Sequence, residues 1–341
     1  MSGNATQRFT NTAILALGDE EAPEIITSDA FDERLAETYR RVGMRAGLLQ
    51  RLVGIRERRW WPEGYTFIDG AVAAGAKAIG ECGVDPTRIG LMVNTSVSRQ
   101  FLEPSSAVSV HHGLGLPTSC RNFDITNACL GFVNGMELAG AMIDSGVIEY
   151  ALVVDGEDSR VVQEATIQRL LRPATGSDDV MREFAALTLG SGAVAMVLGP
   201  ADRHPGGHRL VGSTTRAATQ HHQLCIGDND VMNTDLRGLL DAGLELTEAL
   251  WTDAATEFDW AEGMSRYVIH QISQVHTDAL CKRIGIDPAL VPRTFPTRGN
   301  VGPASVPITL AAEADRLEDG DRVLLMGIGS GLNASCLEIE W

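Results

Sequence analysis

Cys129 is the residue of this sequence best suited to forming a covalent bond with a substrate. It lies in Asn122-Phe123-Asp124-Ile125-Thr126-Asn127-Ala128-Cys129-Leu130-Gly131-Phe132, where a strand-like start gives way to a tight turn and then to an apolar helix. That pattern places the sulfur at or near a helix N-terminus, where unpaired amides and the macrodipole favour the thiolate, the nucleophilic form of cysteine. A small buried hydrophobe would suit the same place, and Cys82, Cys120, Cys225, Cys281 and Cys336 take that plainer reading. His270 ends the strand-like run Tyr267-Val268-Ile269-His270, and Asn300 follows in Arg298-Gly299-Asn300-Val301-Gly302, a context that by itself reads as a turn. The doublets His111-His112 and His221-His222 have no partner at ligand spacing, so no metal is expected.

A cysteine at a helix start and a histidine at a strand end call for an α/β scaffold, and the remaining sequence supplies one. β-branched runs at 89–94, 151–155, 193–198, 267–270, 322–327 and 333–339 alternate with Gly/Ala-rich helical patterns at 68–81, 130–144, 274–284 and 306–316. Short motifs recur in the same order. Gly83-Val84-Asp85-Pro86 returns as Gly285-Ile286-Asp287-Pro288, each after an apolar helix that a glycine stops. Asp144-Ser145-Gly146 returns as Glu318-Asp319-Gly320, and Gly190-Ser191-Gly192 as Gly329-Ser330-Gly331. The repeat predicts two similar halves, 1–200 with the cysteine and 201–341 with the histidine, the asparagine and a glycine loop. They meet near the Gly/Pro/His-rich stretch 199–207. Extra polar sequence at about 156–189 reads as a lid inserted over the site.

With 341 residues, 44% of them hydrophobic, the chain can bury a large core without cross-links. Its 28 basic and 45 acidic residues give a formal charge of −17, a field that disfavours nucleic acid and anionic membrane surfaces as partners. The same field opposes an anionic thioester, so such a substrate requires a local basic patch; Arg51, Arg56, Arg58 and Arg59 form the obvious cluster. No run is long enough to span a bilayer, residues 1–16 do not resemble a secretory leader, and the scattered cysteines suit a reducing cytoplasm.

The stretch from Asp124 to Phe132 resembles the nucleophile motif of the thiolase superfamily, in its ketoacyl-synthase III branch. Gly54-Ile55-Arg56-Glu57-Arg58 resembles an early motif of that branch, and Gly327-Ile328-Gly329-Ser330-Gly331-Leu332-Asn333 resembles its terminal glycine loop. The resemblance implies a five-layered α-β-α-β-α thiolase fold of two similar halves, with Cys129 as acyl carrier. It implies that His270 and Asn300 donate hydrogen bonds to the thioester oxygen of a second substrate, where loss of an α-proton builds negative charge. Backbone amides of Cys129 and Ser330 would hold the carbonyl oxygen of the first acyl group. Coenzyme A, as part of the substrate, is the only cofactor implied. Relatives in this branch usually carry a Trp and an Arg that grip it just before the early motif. Here Gln50-Arg51-Leu52-Val53 precede Gly54 with the arginine displaced by one position, which leaves Arg51, Arg56 and Arg58 as candidates for that role.

Glu103, in Arg99-Gln100-Phe101-Leu102-Glu103-Pro104, reads on its own as a solvated loop acid. Its surroundings resemble those in the head-to-head condensing enzymes of long-chain olefin biosynthesis, where a glutamate from the neighbouring subunit takes the α-proton of an acyl donor. That resemblance implies a homodimer with Glu103 contributed across the interface. It also implies a non-decarboxylative Claisen condensation of two fatty acyl-CoA molecules, with a 2-alkyl-3-oxoacyl product passed to downstream enzymes. A ketoacyl synthase III using malonyl-acyl carrier protein is the nearest rival; it would need no such base, because decarboxylation generates its carbanion. Two more distant rivals are a thioester hydrolase, in which the acyl-enzyme simply meets water, and a non-catalytic scaffold that binds an acyl partner.

Overall fold

Strands covered on both faces are apolar at successive positions rather than alternately apolar and polar. All six β-branched runs form strands in the computed structural model, which describes residues 3–228 and 230–341, although the strand at 267–270 ends at Ile269, one residue before His270. Ten strands form the main sheet among the described residues: β1 Ala5–Arg8, β2 Thr12–Glu21, β3 Ile89–Asn94, β4 Arg121–Asp124, β5 Tyr150–Glu157, β6 Gly192–Pro200, β7 His208–Ala217, β8 Arg266–Ile269, β9 Arg322–Gly329 and β10 Asn333–Glu340. Their order is β8-β9-β10-β7-β2-β6-β5-β3-β4, with β1 also on β7. The sheet narrows between β7 and β2, where only Ala13 with Arg209 and Ile14 with His208 are in register. On one side of this waist β3 is parallel to β4 and β5, while β6 is antiparallel to β5 and β2. On the other side β8 is parallel to β9, while β10 is antiparallel to β9 and β7.

The helices sort into layers by the faces they cover. Helices α2 (Gly131–Asp144) and α5 (Ser305–Glu313) lie between the two parts of the sheet. There Phe132, Val133, Met136, Val306, Ile308 and Leu310 share one core with Leu91, Val93 and Val153 on one side and Val323, Leu325 and Leu337 on the other. The alternate strand residues point outward. Met92, Leu152 and Val154 pack under α1 (Phe67–Glu81), and Leu324, Met326 and Cys336 pack with Leu246, Leu250 and Leu280 of α3 (Leu236–Ala254) and α4 (Gln274–Ile284). The result is five layers, α-β-α-β-α. Gly83 and Gly285, read as helix stops, have φ of 66° and 76°, the left-handed conformation that glycine adopts without a steric penalty. The helix expected at 306–316 is α5, followed by a single 3-10 turn at Ala314–Arg316.

In the polar segment read as a lid at about 156–189, Gly156 and Glu157 complete β5. Gly156 is held there by α1: a Cβ on it would stand 2.2 Å from the Phe67 carbonyl oxygen. The rest of the segment forms helices Arg160–Leu170 and Ser177–Glu183 and a 3-10 turn, Phe184–Thr188. It has its own apolar cluster, in which Ile167, Leu170 and Phe184 meet Phe31, Leu35, Trp60 and Phe295. Trp60 Nε1 donates to Gln163 Oε1 at 2.6 Å, which fastens the segment to the small antiparallel sheet of Glu24–Thr27 and Glu57–Trp60. No helix among the described residues is long and apolar enough to cross a membrane.

Candidate active site

Cys129 stands two residues ahead of α2, in a turn that joins β4 to the helix. Ala128 adopts φ 46°, a left-handed conformation that costs an L-residue roughly 1–2 kcal/mol, and alanine offers the smallest side chain that is not glycine. The Leu130 and Gly131 amides donate back to the Asn127 and Ala128 carbonyls at 3.0 and 3.1 Å, closing the turn around the cysteine. Asp124 braces it from below: its carboxylate accepts from the Ser106 and Ala107 amides at 3.1 and 2.8 Å and pairs with Arg99, which also donates to Thr126 Oγ1 at 2.6 Å.

From the other part of the sheet, the glycine loop reaches the same turn. A Cβ on Gly327 would lie 2.5 Å from Leu130 Cδ1, and one on Gly329 would lie 2.6 Å from the Asn127 carbonyl oxygen; the second contact is with backbone, so glycine is required at 329. Asn333 donates to Asn127 at 3.1 Å, Asn127 to Asn134 at 2.7 Å, and Asn134 to Glu137 at 2.8 Å; Ser335 donates to Glu137 at 2.6 Å. Ser330 sits in the β9–β10 turn, directly after Gly329.

The Cys129 thiol is not the readily ionised group that its sequence context predicts. Burial pushes it up to about 12, and Cys225, Glu157 and Asp155 nearby reinforce the shift. The sulfur does stand where the sequence places it, directly before the Leu130 N-cap of α2, but burial outweighs what the backbone amide there contributes.

His270 directly follows β8, is 3% exposed, and donates its amide proton to the Met326 carbonyl at 2.9 Å, one residue before Gly327. Burial, with His276 nearby, lowers it to about 3, so the ring is neutral near pH 7. Asn300 is tied at three points: its amide donates to Thr188 O at 2.9 Å, its carbonyl accepts from Gly190 N at 2.9 Å, and its Oδ1 accepts from Gly302 N at 3.0 Å. The last bond orients the side chain and leaves Nδ2 to donate elsewhere. No hydrogen bond links Cys129, His270 and Asn300 to one another among the described residues. Their segments share neighbours: Gly327 packs against Leu130 of the Cys129 turn and follows the Met326 partner of His270, while Glu157, which acts on the Cys129 thiol, packs against Gly302 beside Asn300.

Two family descriptions match the chain: 3-oxoacyl-[acyl-carrier-protein] synthase III over residues 123–218, and the C-terminal region of the same synthase over residues 261–341. It is similar to the acyl-CoA:acyl-CoA alkyltransferase of Xanthomonas campestris pv. campestris, 44% identical over 98% of this chain and 99% of that one. The acyl-CoA:acyl-CoA alkyltransferase of Shewanella oneidensis is 35% identical over 98% of this chain and 100% of its own length. The chain belongs to the thiolase superfamily, in its ketoacyl-synthase III-like branch. A crystal structure of Xanthomonas campestris OleA, a cysteine-to-serine variant with bound lauric acid and lauroyl-CoA, covers 98% of this chain and 100% of its own at TM-score 0.95 and 43% identity.

Within this thiolase-superfamily chain the early arginines part company. Arg58 is fully buried with its guanidinium 4.7 Å from the Phe31 ring, donating to Ser28 Oγ at 3.1 Å, Leu187 O at 3.2 Å and Ile26 O at 3.3 Å. Burial lowers it to about 10. This corrects its assignment to substrate binding: both terminal nitrogens donate inside the fold and none of the side chain reaches solvent, and its stem packs against the Gly190 and Gly299 backbone flanking Asn300. Arg59 is paired with Glu21 and Glu57. Arg51 and Arg56 are exposed and have no ion-pair partner among the described residues.

Glu103 lies on an exposed loop beside Phe101 and Leu102, 59% and 99% exposed, and within this chain it touches neither Cys129 nor His270. Sequence reasoning missed the acid that the fold does bring to the site. Glu157, at the end of β5, accepts from Val97 N at 2.6 Å, Ser98 N at 3.1 Å and Ser98 Oγ at 2.5 Å, anchoring the segment that leads to Glu103. Burial outweighs these bonds and raises it to about 7, and burial likewise raises Asp155, two residues earlier on the same face. The available signal was the Asp-Gly-Glu sequence closing an apolar strand.

Proposed function

We propose that this protein condenses two fatty acyl-CoA molecules without decarboxylation, through an acyl group carried on Cys129. The observation that carries the reading is the match, over nearly the whole chain, to two acyl-CoA:acyl-CoA alkyltransferases. Lauroyl-CoA, bound in the Xanthomonas campestris structure, indicates the substrate class. Cys129 attacks the first thioester; the carbon-sulfur bond to CoA breaks, and the thiol proton leaves on the CoA sulfur. Amides of Cys129 and Ser330 hold the acyl carbonyl oxygen. Glu103 of a second subunit then takes an α-proton from the second acyl-CoA, while His270 Nε2 and Asn300 Nδ2 donate to the enolate oxygen. The enolate carbon attacks the acyl group, the bond to Cys129 breaks, and the sulfur recovers the proton held by Glu103. A thiol pushed up to about 12 is basic enough to take it. The product is a 2-alkyl-3-oxoacyl-CoA suited to an olefin-forming route with downstream enzymes.

Several parts of this reading rest on placement. Apolar Phe101 and Leu102, exposed around Glu103, suit a homodimer formed through the first half. Arg51 and Arg56 are the cations left to meet the CoA phosphates. The repeated order of parallel and antiparallel pairings on either side of the β7–β2 waist supports two related halves, 1–200 and 201–341, with the 156–189 segment as a cover. The chemistry calls for no cofactor beyond CoA, and the scattered free cysteines fit a cytoplasmic setting. Incubation of the purified chain with lauroyl-CoA alone, followed by mass spectrometry, tests the proposal. Condensed product without a malonyl donor supports it; lauric acid alone points to a hydrolase, and product formed only with malonyl-acyl carrier protein points to the synthase III reaction.

A further inference from the structure

Behind His270 lies a second imidazole that the condensation steps do not use. His276 is in the first turn of α4, where its amide donates to Ser273 Oγ at 3.0 Å. The Nδ1 atoms of His270 and His276 are both buried, and neither has a hydrogen-bond partner among the described residues. Both rings line one cavity of about 20 Å³, together with Thr247, Leu280, Met326 and Cys336. A space of roughly 10–15 Å³ is enough for one water, provided polar atoms face it. Burial lowers His270 to about 3 and His276 to about 4, so both rings are neutral near pH 7, each with one nitrogen that donates and one that accepts.

We propose that one water in this cavity joins His276 Nδ1 to His270 Nδ1, and that His276 is a positioning residue holding the His270 proton on Nε2. A water between the rings accepts from His276 Nδ1–H and donates to the unprotonated Nδ1 of His270. The tautomer of an imidazole is set by the hydrogen bond its other nitrogen makes. With Nδ1 committed as an acceptor, Nε2 carries the proton and is the nitrogen left to donate to a thioester or enolate oxygen. The reverse tautomer would present a lone pair to that developing charge. This inference rests on the reading of His270 as an oxyanion donor.

The test uses the full chain labelled with ¹⁵N-histidine, its His270 signals assigned by their loss in His270→Asn, alongside turnover of lauroyl-CoA. The wild-type ring is expected to be protonated on Nε2 and hydrogen-bonded but unprotonated at Nδ1. In His276→Leu that preference is expected to weaken, and condensation to fall about tenfold to a hundredfold, the scale seen when a residue orienting a functional histidine is lost. KM and the rate of Cys129 acylation should stay within about threefold, the pattern of an interaction made only in the later transition state. His276→Gln, which restores a donor, should recover most of the condensation rate. A wild-type His270 protonated on Nδ1, or a His276→Leu variant with unchanged tautomer and turnover, overturns the proposal. So does an equal loss of acylation and condensation that His276→Gln does not repair. A wild-type chain that holds the Nε2 tautomer yet forms no condensed product would refute the proposed reaction while leaving the tautomer assignment intact.

Discussion

Replacing Gly329 with alanine places a methyl group against the turn that presents the nucleophile. The added Cβ would stand 2.6 Å from the Asn127 carbonyl oxygen, 3.3 Å from Leu130 Cβ and 3.4 Å from the Leu130 amide nitrogen. The first contact is with backbone, so no side chain can rotate away. Restoring an ordinary separation of about 3.4 Å requires a displacement of roughly 0.8 Å, shared between β9 and the segment on either side of Cys129. A misplacement near 1 Å costs on the order of a hundredfold in a reaction that depends on positioning, or about 2.7 kcal/mol of barrier. Overpacking should remove about 1–3 kcal/mol of stability as well. The assay is single-turnover acylation of Cys129 by lauroyl-CoA, read by intact-protein mass spectrometry, with urea unfolding in parallel. Gly80→Ala is the control: Gly80 is exposed near the end of α1 with no atom within 4 Å of an added Cβ. It should gain up to about 1 kcal/mol of stability at unchanged rate. If Gly329→Ala acylates as fast as wild type and unfolds at the same urea concentration, the glycine loop does not set the position of the sulfur.

Further expectations concern the buried charges. Because burial raises Glu157 to about 7, its protonated form contributes stability that is fully present below the ordinary carboxylate range and lost as pH rises through about 7. Glu157→Gln removes that dependence, so wild type should lose melting temperature relative to the variant between about pH 5 and pH 8; parallel curves would contradict the assignment. Arg58→Ala leaves three acceptors without their donor and should cost about 3 kcal/mol or more in urea unfolding. Arg51→Ala and Arg56→Ala should change stability by no more than about 0.5 kcal/mol while raising KM for lauroyl-CoA; an unchanged KM in the double variant would remove both from the substrate site.

The elements were legible because their signals are local. Apolar runs bounded by glycine located β3, β5, β6, β9 and β10, and the glycines at 83 and 285 marked two helix ends to the residue. The strand-turn-helix around Cys129 was equally visible, with the cysteine directly before the N-cap of α2. What stayed hidden depends on distant packing. Arg58 belongs to a motif full of charge, and it is buried by residues from separate parts of the chain, Ser28 and Phe31, Leu187, and the backbone around Asn300. The thiol shift has the same origin, since the groups that reinforce the effect of burial, Asp155 and Glu157 on β5 and Cys225, are distant from Cys129 in sequence. Glu157 looked like the first residue of a loop because no local feature distinguishes the last residue of a buried strand from the first one after it.

The claim that Cys129 carries one chain while Glu103 of a neighbouring subunit prepares the other is tested most directly by a paired mass measurement on wild type and Glu103→Ala supplied with lauroyl-CoA alone. The account predicts a lauroyl group on the Cys129 peptide of both proteins, with the branched 3-oxoacyl product formed only by wild type. A Glu103→Ala chain that still makes the product, or a wild-type chain whose Cys129 is never acylated during turnover, would contradict it.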